Sequence, residues 1–303
     1  MFDDLALNFG LTAQRLDTGS LLLDGPGVFV QAEGRSHAGY CSATFNVWAE
    51  TVARADAIKA QVFRIVGDDR VRDQMFVIDW RFSDRRGHTL SSTFEELADD
   101  PVLDAAYPML GQPVDRFVEA FVRAPEAVLI MLGPPGTGKT RLVRAVLAAL
   151  SRRKGDSASV LYTADKAVLA SDGLFVDFVT GTHDAFVIED ADHLLQPRTD
   201  GNTDLHRFLM VADGVVRAQG RKLLFTTNLP NVRAIDEALL RPGRCFATVV
   251  ARPLDAAETR RLALELVRGD AAAADAVVRH ALPAGARSAT VATIYRALHD
   301  AGR

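Results

Sequence analysis

The segment Gly133-Pro134-Pro135-Gly136-Thr137-Gly138-Lys139-Thr140 lies between an apolar run, 128–132, and a stretch, 140–151, in which Val143, Val146, Leu147 and Leu150 form one helical stripe that Gly155 ends. Few folds accommodate a glycine-rich turn in that setting. The glycines let successive amide hydrogens converge on one anion, and the helix start adds positive potential at the same point. An incidental Gly/Pro turn would need neither flank. Lys139 can reach the β- and γ-phosphates of a nucleotide as a point charge, and the Thr140 hydroxyl can complete a Mg²⁺ shell otherwise made of phosphate oxygens and water. From about residue 93, short apolar runs at 128–132, 160–163, 185–188 and 222–226 alternate with helical patterns, which predicts a parallel sheet covered on both faces.

Three hundred and three residues suggest about two domains, and the apolar content of 48% supplies a core for each. Residues 1–92 read as a small α+β amino-terminal module. In it, 46–60 is predicted helical, 62–66 a strand ending at Gly67-Asp68-Asp69, and 75–82 a strand with Phe76, Ile78, Trp80 and Phe82 on one face. The α/β domain follows over 93–252. After Pro253 the Ala/Arg/Leu-rich residues predict a helical lid, 253–303, with helices over 256–268, 271–281 and 291–301. A net charge of −4 without a basic run argues against a nucleic-acid partner. Cys41 and Cys245 lack metal or redox spacing, the acidic start Met1-Phe2-Asp3-Asp4-Leu5 is unlike a signal peptide, and no apolar run reaches the length of a membrane span. The expected location is cytoplasmic.

Ala185-Phe186-Val187-Ile188-Glu189-Asp190-Ala191-Asp192 ends an apolar strand with three carboxylates at its carboxyl edge, where open α/β sheets bind ligands. One carboxylate there can hold Mg²⁺ and its neighbour can orient the water that attacks a γ-phosphate. Glu189 and Asp190 can divide that work; Asp192 fits a solvated strand end equally well.

These two motifs, with Leu224-Phe225-Thr226-Thr227-Asn228 and Ile235-Asp236-Glu237-Ala238-Leu239-Leu240-Arg241-Pro242-Gly243-Arg244, resemble the AAA ATPase family over about 93–303. The resemblance implies a phosphate-loop NTPase sheet with a helical lid, Mg-ATP hydrolysis, and a homo-oligomeric ring, hexameric by family habit. Glu189 matches the metal-side acid with Thr140, Asp190 the water-activating acid, Asn228 the polar sensor, and Arg241 and Arg244 the two arginine fingers that act on a neighbouring subunit's nucleotide. Most of the family ends this strand Asp-Glu. The reversed order here is similar to the mitochondrial inner-membrane AAA translocase of the Rieske protein, whose membrane span this sequence lacks. Gly285-Ala286-Arg287 resembles a second sensor arginine that binds the phosphates, but placing Ser288-Ala289 at that position fits the helix over 290–298 as well.

Protein-unfolding relatives carry an aromatic-hydrophobic-Gly pore loop, and the corresponding Lys166-Ala167-Val168-Leu169-Ala170-Ser171 has no aromatic. Phe175 and Phe178 follow at helical spacing, as on a buried face. Polar residues 198–207 suit either an exposed loop or a continuation of the active-site face. The seven histidines show no metal spacing, and His183 and His193 read as polar surface residues. The function expected is a remodelling ATPase acting on a protein client held by the amino-terminal module; the alternative is a nucleotide-gated assembly with slow, client-independent hydrolysis.

Overall fold

The computed structural model describes residues 2–16, 19–36, 40–66, 74–97, 102–197, 205–212 and 220–301. Two compact units divide between Val71 and Arg72. In the first, α1 (Phe2–Phe9) precedes an antiparallel meander of β1 (Thr12–Arg15), β2 (Ser20–Gly25), β3 (Val28–Ser36) and β4 (Cys41–Ala49), and α2 (Val52–Val66) closes it. Alternation buries Leu21, Leu23, Val28, Val30 and Ala32 in one core with Ile58 of α2. Two local expectations fail here. Trp48 lies in β4, and the helix starts at Val52, where Thr51 Oγ1 accepts a hydrogen bond from the Arg54 N–H at 3.2 Å. Residues 62–66 continue that helix instead of forming a strand, because Ile58, Val62 and Ile65 recur at helical spacing and pack on the same core. The turn expected at 67–69 lies outside the described residues.

The second unit begins with β5 (Met75–Ser83) and β6 (Thr89–Leu97). Next come α3 (Val114–Arg123), β7 (Val128–Leu132), α4 (Lys139–Lys154), β8 (Ala158–Thr163), α5 (Lys166–Leu169), α6 (Asp172–Thr180), β9 (Ala185–Ile188), α7 (Asp192–Leu195), α8 (Leu205–Ala212), β10 (Lys222–Thr227) and β11 (Cys245–Val250). The sheet order is β11-β7-β10-β9-β8-β5-β6, parallel except for the antiparallel edge strand β6. Thus β5 and β6, expected in the amino-terminal module, extend the large sheet, and the boundary expected near 92 falls at 71/72. The cause is a long-range register, Phe76 beside Ala158 through Trp80 beside Tyr162, which local alternation does not reveal. One face of the sheet buries Leu129, Met131, Val160, Val187 and Leu224 beneath α3 and α4; the other buries Ile130, Leu161, Phe186, Ile188 and Phe225 with α6 and α8. Over β7, β8, β9 and β10 both faces are covered, as the apolar runs predicted, while the β6 edge is largely exposed.

Lys222 opens β10 almost fully buried, its Nζ donating to the carbonyls of Ala124 (2.7 Å) and Glu126 (3.0 Å) just past α3. Burial pushes its pKa down to about 8, with the charge of Arg153 acting in the same sense.

The lid comprises β12 (Leu254–Asp255), α9 (Ala256–Leu266), α10 (Ala271–Ala281), β13 (Ser288–Ala289) and α11 (Val291–Asp300). A reciprocal capping box starts α9: Asp255 accepts from the Glu258 N–H at 2.8 Å, and Glu258 accepts from the Asp255 N–H at 3.0 Å. Glu258 also takes both Arg252 guanidinium nitrogens at 2.7 Å, and that contact, with the Asp255 N–H, lowers its pKa to about 2 against the usual 4.5. A depressed carboxylate pKa gives stability that is complete above pH 4.5 and lost as pH falls toward 2. Glu258→Gln should therefore lower the melting temperature at pH 7, with a deficit that shrinks as acid unfolding scans descend through that window. A deficit independent of pH would contradict the pairing.

Candidate nucleotide site

The loop after β7 takes its shape from positions where a side chain has no room. Gly133 has φ +151°, and a Cβ there would overlap the Ala251 carbonyl oxygen; its own N–H donates to Thr227 O at 3.1 Å. Gly138, at φ +91°, caps α4, and a Cβ there would press on the Tyr107 hydroxyl, which donates to the Gly138 carbonyl at 2.9 Å. Thr137 Oγ1 donates to Pro134 O at 2.8 Å and closes the loop on itself. The Lys139 ammonium is largely buried and donates to Gly133 O (2.7 Å), Pro134 O (3.2 Å) and Asn228 Oδ1 (2.9 Å). Burial lowers its pKa, while Asp190, Asp192 and Glu189 pull it back up.

The acidic end of β9 meets this loop directly. Thr140 Oγ1 donates to Glu189 Oε1 at 2.6 Å, and the Tyr162 hydroxyl on β8 donates to Glu189 Oε2 at 2.7 Å. Burial raises the Tyr162 pKa, and the bond to the Glu189 carboxylate raises it further. Asp190 has φ +49°, a left-handed conformation that aspartate and asparagine tolerate better than most residues, and its N–H donates to Thr226 Oγ1 at 3.2 Å. Asn228, just past β10, donates through Nδ2 to Asp190 Oδ1 at 3.0 Å, so its amide links Lys139 to Asp190. Asp192 is no loose strand end: its Oδ1 accepts from the Asn228 N–H at 2.8 Å and from the Thr227 hydroxyl, fixing the turn that carries Asn228.

A cleft of about 560 Å³ holds these groups, with Pro135, Gly136, Lys139 and Thr140 on the core side and Val291, Ala292 and Tyr295 of α11 on the lid side. The Ala292 N–H donates to Gly136 O at 2.9 Å, and the Arg141 guanidinium lies 4.2 Å from the Tyr295 ring centre. Arg287 is exposed and does not line the cleft: Ser288–Ala289 pairs with Leu254–Asp255, and the lid residues that reach the loop are those of α11. Neither Arg241 nor Arg244 lines it. Arg241 is exposed, and Arg244 Nη1 donates to Ala238 O at 2.6 Å.

Thr140 and Glu189 offer hard oxygen donors side by side, and no group of three His, Cys, Asp or Glu residues suited to a metal occurs among the described residues. That donor set fits Mg²⁺ carried in by a nucleotide's phosphates and not a metal caged by protein alone.

The expected pore-loop segment is anchored: Val168 and Leu169 are buried, and Asp165 caps α5 through the N–H groups of Ala167 and Val168. Phe178 is buried and Phe175 packs edge-on against Phe208 at 5.3 Å, as the helical spacing predicted. Residues 198–204 lie outside the described residues. His183 departs from the expected surface position; its side chain is 12% exposed, with Nε2 3.5 Å from Asp79 Oδ2. Cys41 and Cys245 are free thiols.

The sheet order, the loop at the carboxyl end of β7 and the acids at the end of β9 together define a phosphate-loop nucleotide-binding domain. Residues 129–252 match the family model described as ATPase family associated with various cellular activities (AAA), and the mostly parallel α/β sheet with a helical carboxy-terminal region is consistent with a phosphate-loop AAA fold. The chain is 31% identical over 186 residues to proteasome-activating nucleotidase 2 of Haloferax volcanii, covering 56% of this chain and 44% of that protein. It is 32% identical over 216 residues to the ATP-dependent zinc metalloprotease FtsH of Acidothermus cellulolyticus, covering 66% and 30%. A third relative, a 26S proteasome regulatory subunit 7 homolog of Schizosaccharomyces pombe, is 32% identical over 142 residues, covering 43% and 32%. The chain thus spans less than half the length of each of these relatives. Among the described residues, no helix is long and apolar enough to cross a membrane.

Proposed function

We propose that this chain is an AAA-type ATPase that hydrolyses Mg-ATP at the subunit interfaces of a ring, six-membered by family habit, to remodel or disassemble a protein client bound by its amino-terminal unit. The observation that carries the reading is that two hydrogen-bonded sets, Lys139–Asn228–Asp190 and Thr140–Glu189, line a single cleft. Lys139 exchanges its carbonyl partners for β- and γ-phosphate oxygens. Thr140 and Glu189 would hold Mg²⁺, which when bound with the nucleotide neutralises phosphate charge. Asp190 accepts the proton of the attacking water, and Asn228 orients that water from the other side. With the pair reversed, the base is one methylene shorter than the usual Glu, so either the water lies closer to the end of β9 or turnover is slow.

The guanidinium needed at the γ-phosphate comes in this reading from Arg244 of a neighbouring copy, assisted by Arg241, since neither lines the cleft of its own chain. Arg244→Ala should bind Mg-ATP with unchanged affinity by calorimetry yet hydrolyse it about 10³-fold more slowly. Turnover at the wild-type rate would remove the finger assignment.

The segment at 166–171, without an aromatic and with Val168 and Leu169 buried, supports a second reading: ATP gates assembly and hydrolysis acts as a slow timer. A client accelerates turnover in the first reading and leaves it unchanged in the second.

A further inference from the structure

We infer that Tyr162 is a positioning residue for metal-dependent nucleotide binding, clamping Glu189 with its metal-side oxygen toward Thr140. The inference rests on the ATPase reading above and adds a residue from a strand that carries none of the motifs. Tyr162 stands beside Val187 in the β8–β9 register. Glu189 directly follows β9, its N–H still donating to Thr163 O at 3.1 Å, which leaves it one diagonal step from Tyr162, a distance an aromatic side chain can span. The phenol covers it: the hydroxyl is 2.7 Å from Oε2, while Thr140 Oγ1 is 2.6 Å from Oε1. The carboxylate is therefore held at both oxygens, one donor on the sheet and the other on the first turn of α4.

The two donors are not equivalent. Thr140 belongs to the phosphate loop and is a metal ligand in the proposed function, whereas Tyr162 faces Glu189 from the side away from the loop. Without that second anchor only Thr140, itself a metal ligand in the proposed function, holds Glu189, so more of its side-chain freedom must be ordered when metal arrives, and that ordering subtracts from metal affinity. Tyr162 removes the cost in advance without touching nucleotide. Losing it should weaken the contribution of Mg²⁺ and leave the grip of the phosphate loop on ATP intact.

The test is fluorescent-ATP binding to the full chain, measured without divalent metal and across a Mg²⁺ titration, for wild type, Tyr162→Phe, Glu189→Ala and the double variant. Phenylalanine keeps the ring and deletes only the donor. Tyr162→Phe should bind metal-free ATP as wild type does while its Mg²⁺ midpoint rises about tenfold, the size of a hydrogen bond to a charged group. In the Glu189→Ala background the same change should have no further effect. A wild-type Mg²⁺ midpoint in Tyr162→Phe would overturn the inference, as would equal weakening of metal-free and metal-bound ATP, or effects that multiply in the double variant. Absence of ATP binding by the wild type would instead overturn the ATPase reading itself and this inference with it.

Discussion

Lys139→Ala should abolish Mg-ATP binding, with affinity falling at least about 100-fold, as expected when the cation of a buried ion pair with phosphate is truncated. The structure explains why no neighbour substitutes. Lys139 reaches the loop interior from the first residue of α4, and its ammonium is already desolvated and held by Gly133 O, Pro134 O and Asn228 Oδ1. Phosphate oxygens would replace those acceptors with a stronger, charged one. Alanine leaves the carboxylates of Glu189 and Asp190 in the cleft, with Asp192 near by, without the cation that offsets them. Titration calorimetry reads the loss directly, and wild-type affinity would remove the phosphate-loop assignment.

Asp190→Asn separates binding from chemistry. Position 190 has φ +49°, which asparagine tolerates at least as well as aspartate, so the backbone after β9 should be retained. The carbonyl of the introduced amide can still accept from Asn228 Nδ2 at the place where Asp190 Oδ1 now does, and the backbone N–H bond to Thr226 Oγ1 is untouched. Only the negative charge and the capacity to take a proton are lost. ATP affinity should stay within about threefold, while steady-state hydrolysis drops by about 10²–10⁴, the range for a general base. Wild-type turnover in this variant would assign the base elsewhere.

How much of the molecule is legible in its sequence follows from range. The loop, the acids and the helix stripe through Val143, Val146, Leu147 and Leu150 are local patterns, and each occurs where its spacing places it. Residues 62–66 show the limit of local pattern. Their β-branched run suggests a strand, but Ile58 four residues before Val62, together with the Thr51 cap, carries the helical signal. Partners fixed by register are not legible. Nothing near Met75–Ser83 announces Ala158–Thr163 as its neighbour, so local pattern groups β5 with the wrong unit. Tyr162 lies inside a predicted strand, yet its hold on Glu189 depends on the pairing of β8 with β9. Lys222 likewise opens an expected strand, and only the fold places carbonyls over its ammonium. Arg287 matches a motif by sequence, while the β12–β13 ladder gives the cleft to α11.

The central claim is that a single copy holds an incomplete site which a neighbour's arginine finishes. Mixing Lys139→Ala with Arg244→Ala tests it most directly, after wild-type subunits carrying two labels have been seen to exchange. Each variant alone should be nearly inactive, and the mixture should regain hydrolysis because an intact phosphate loop then faces an intact Arg244 at some interfaces. A mixture of exchanging subunits no more active than its components, or wild-type turnover that stays constant on dilution to a strict monomer, would contradict it.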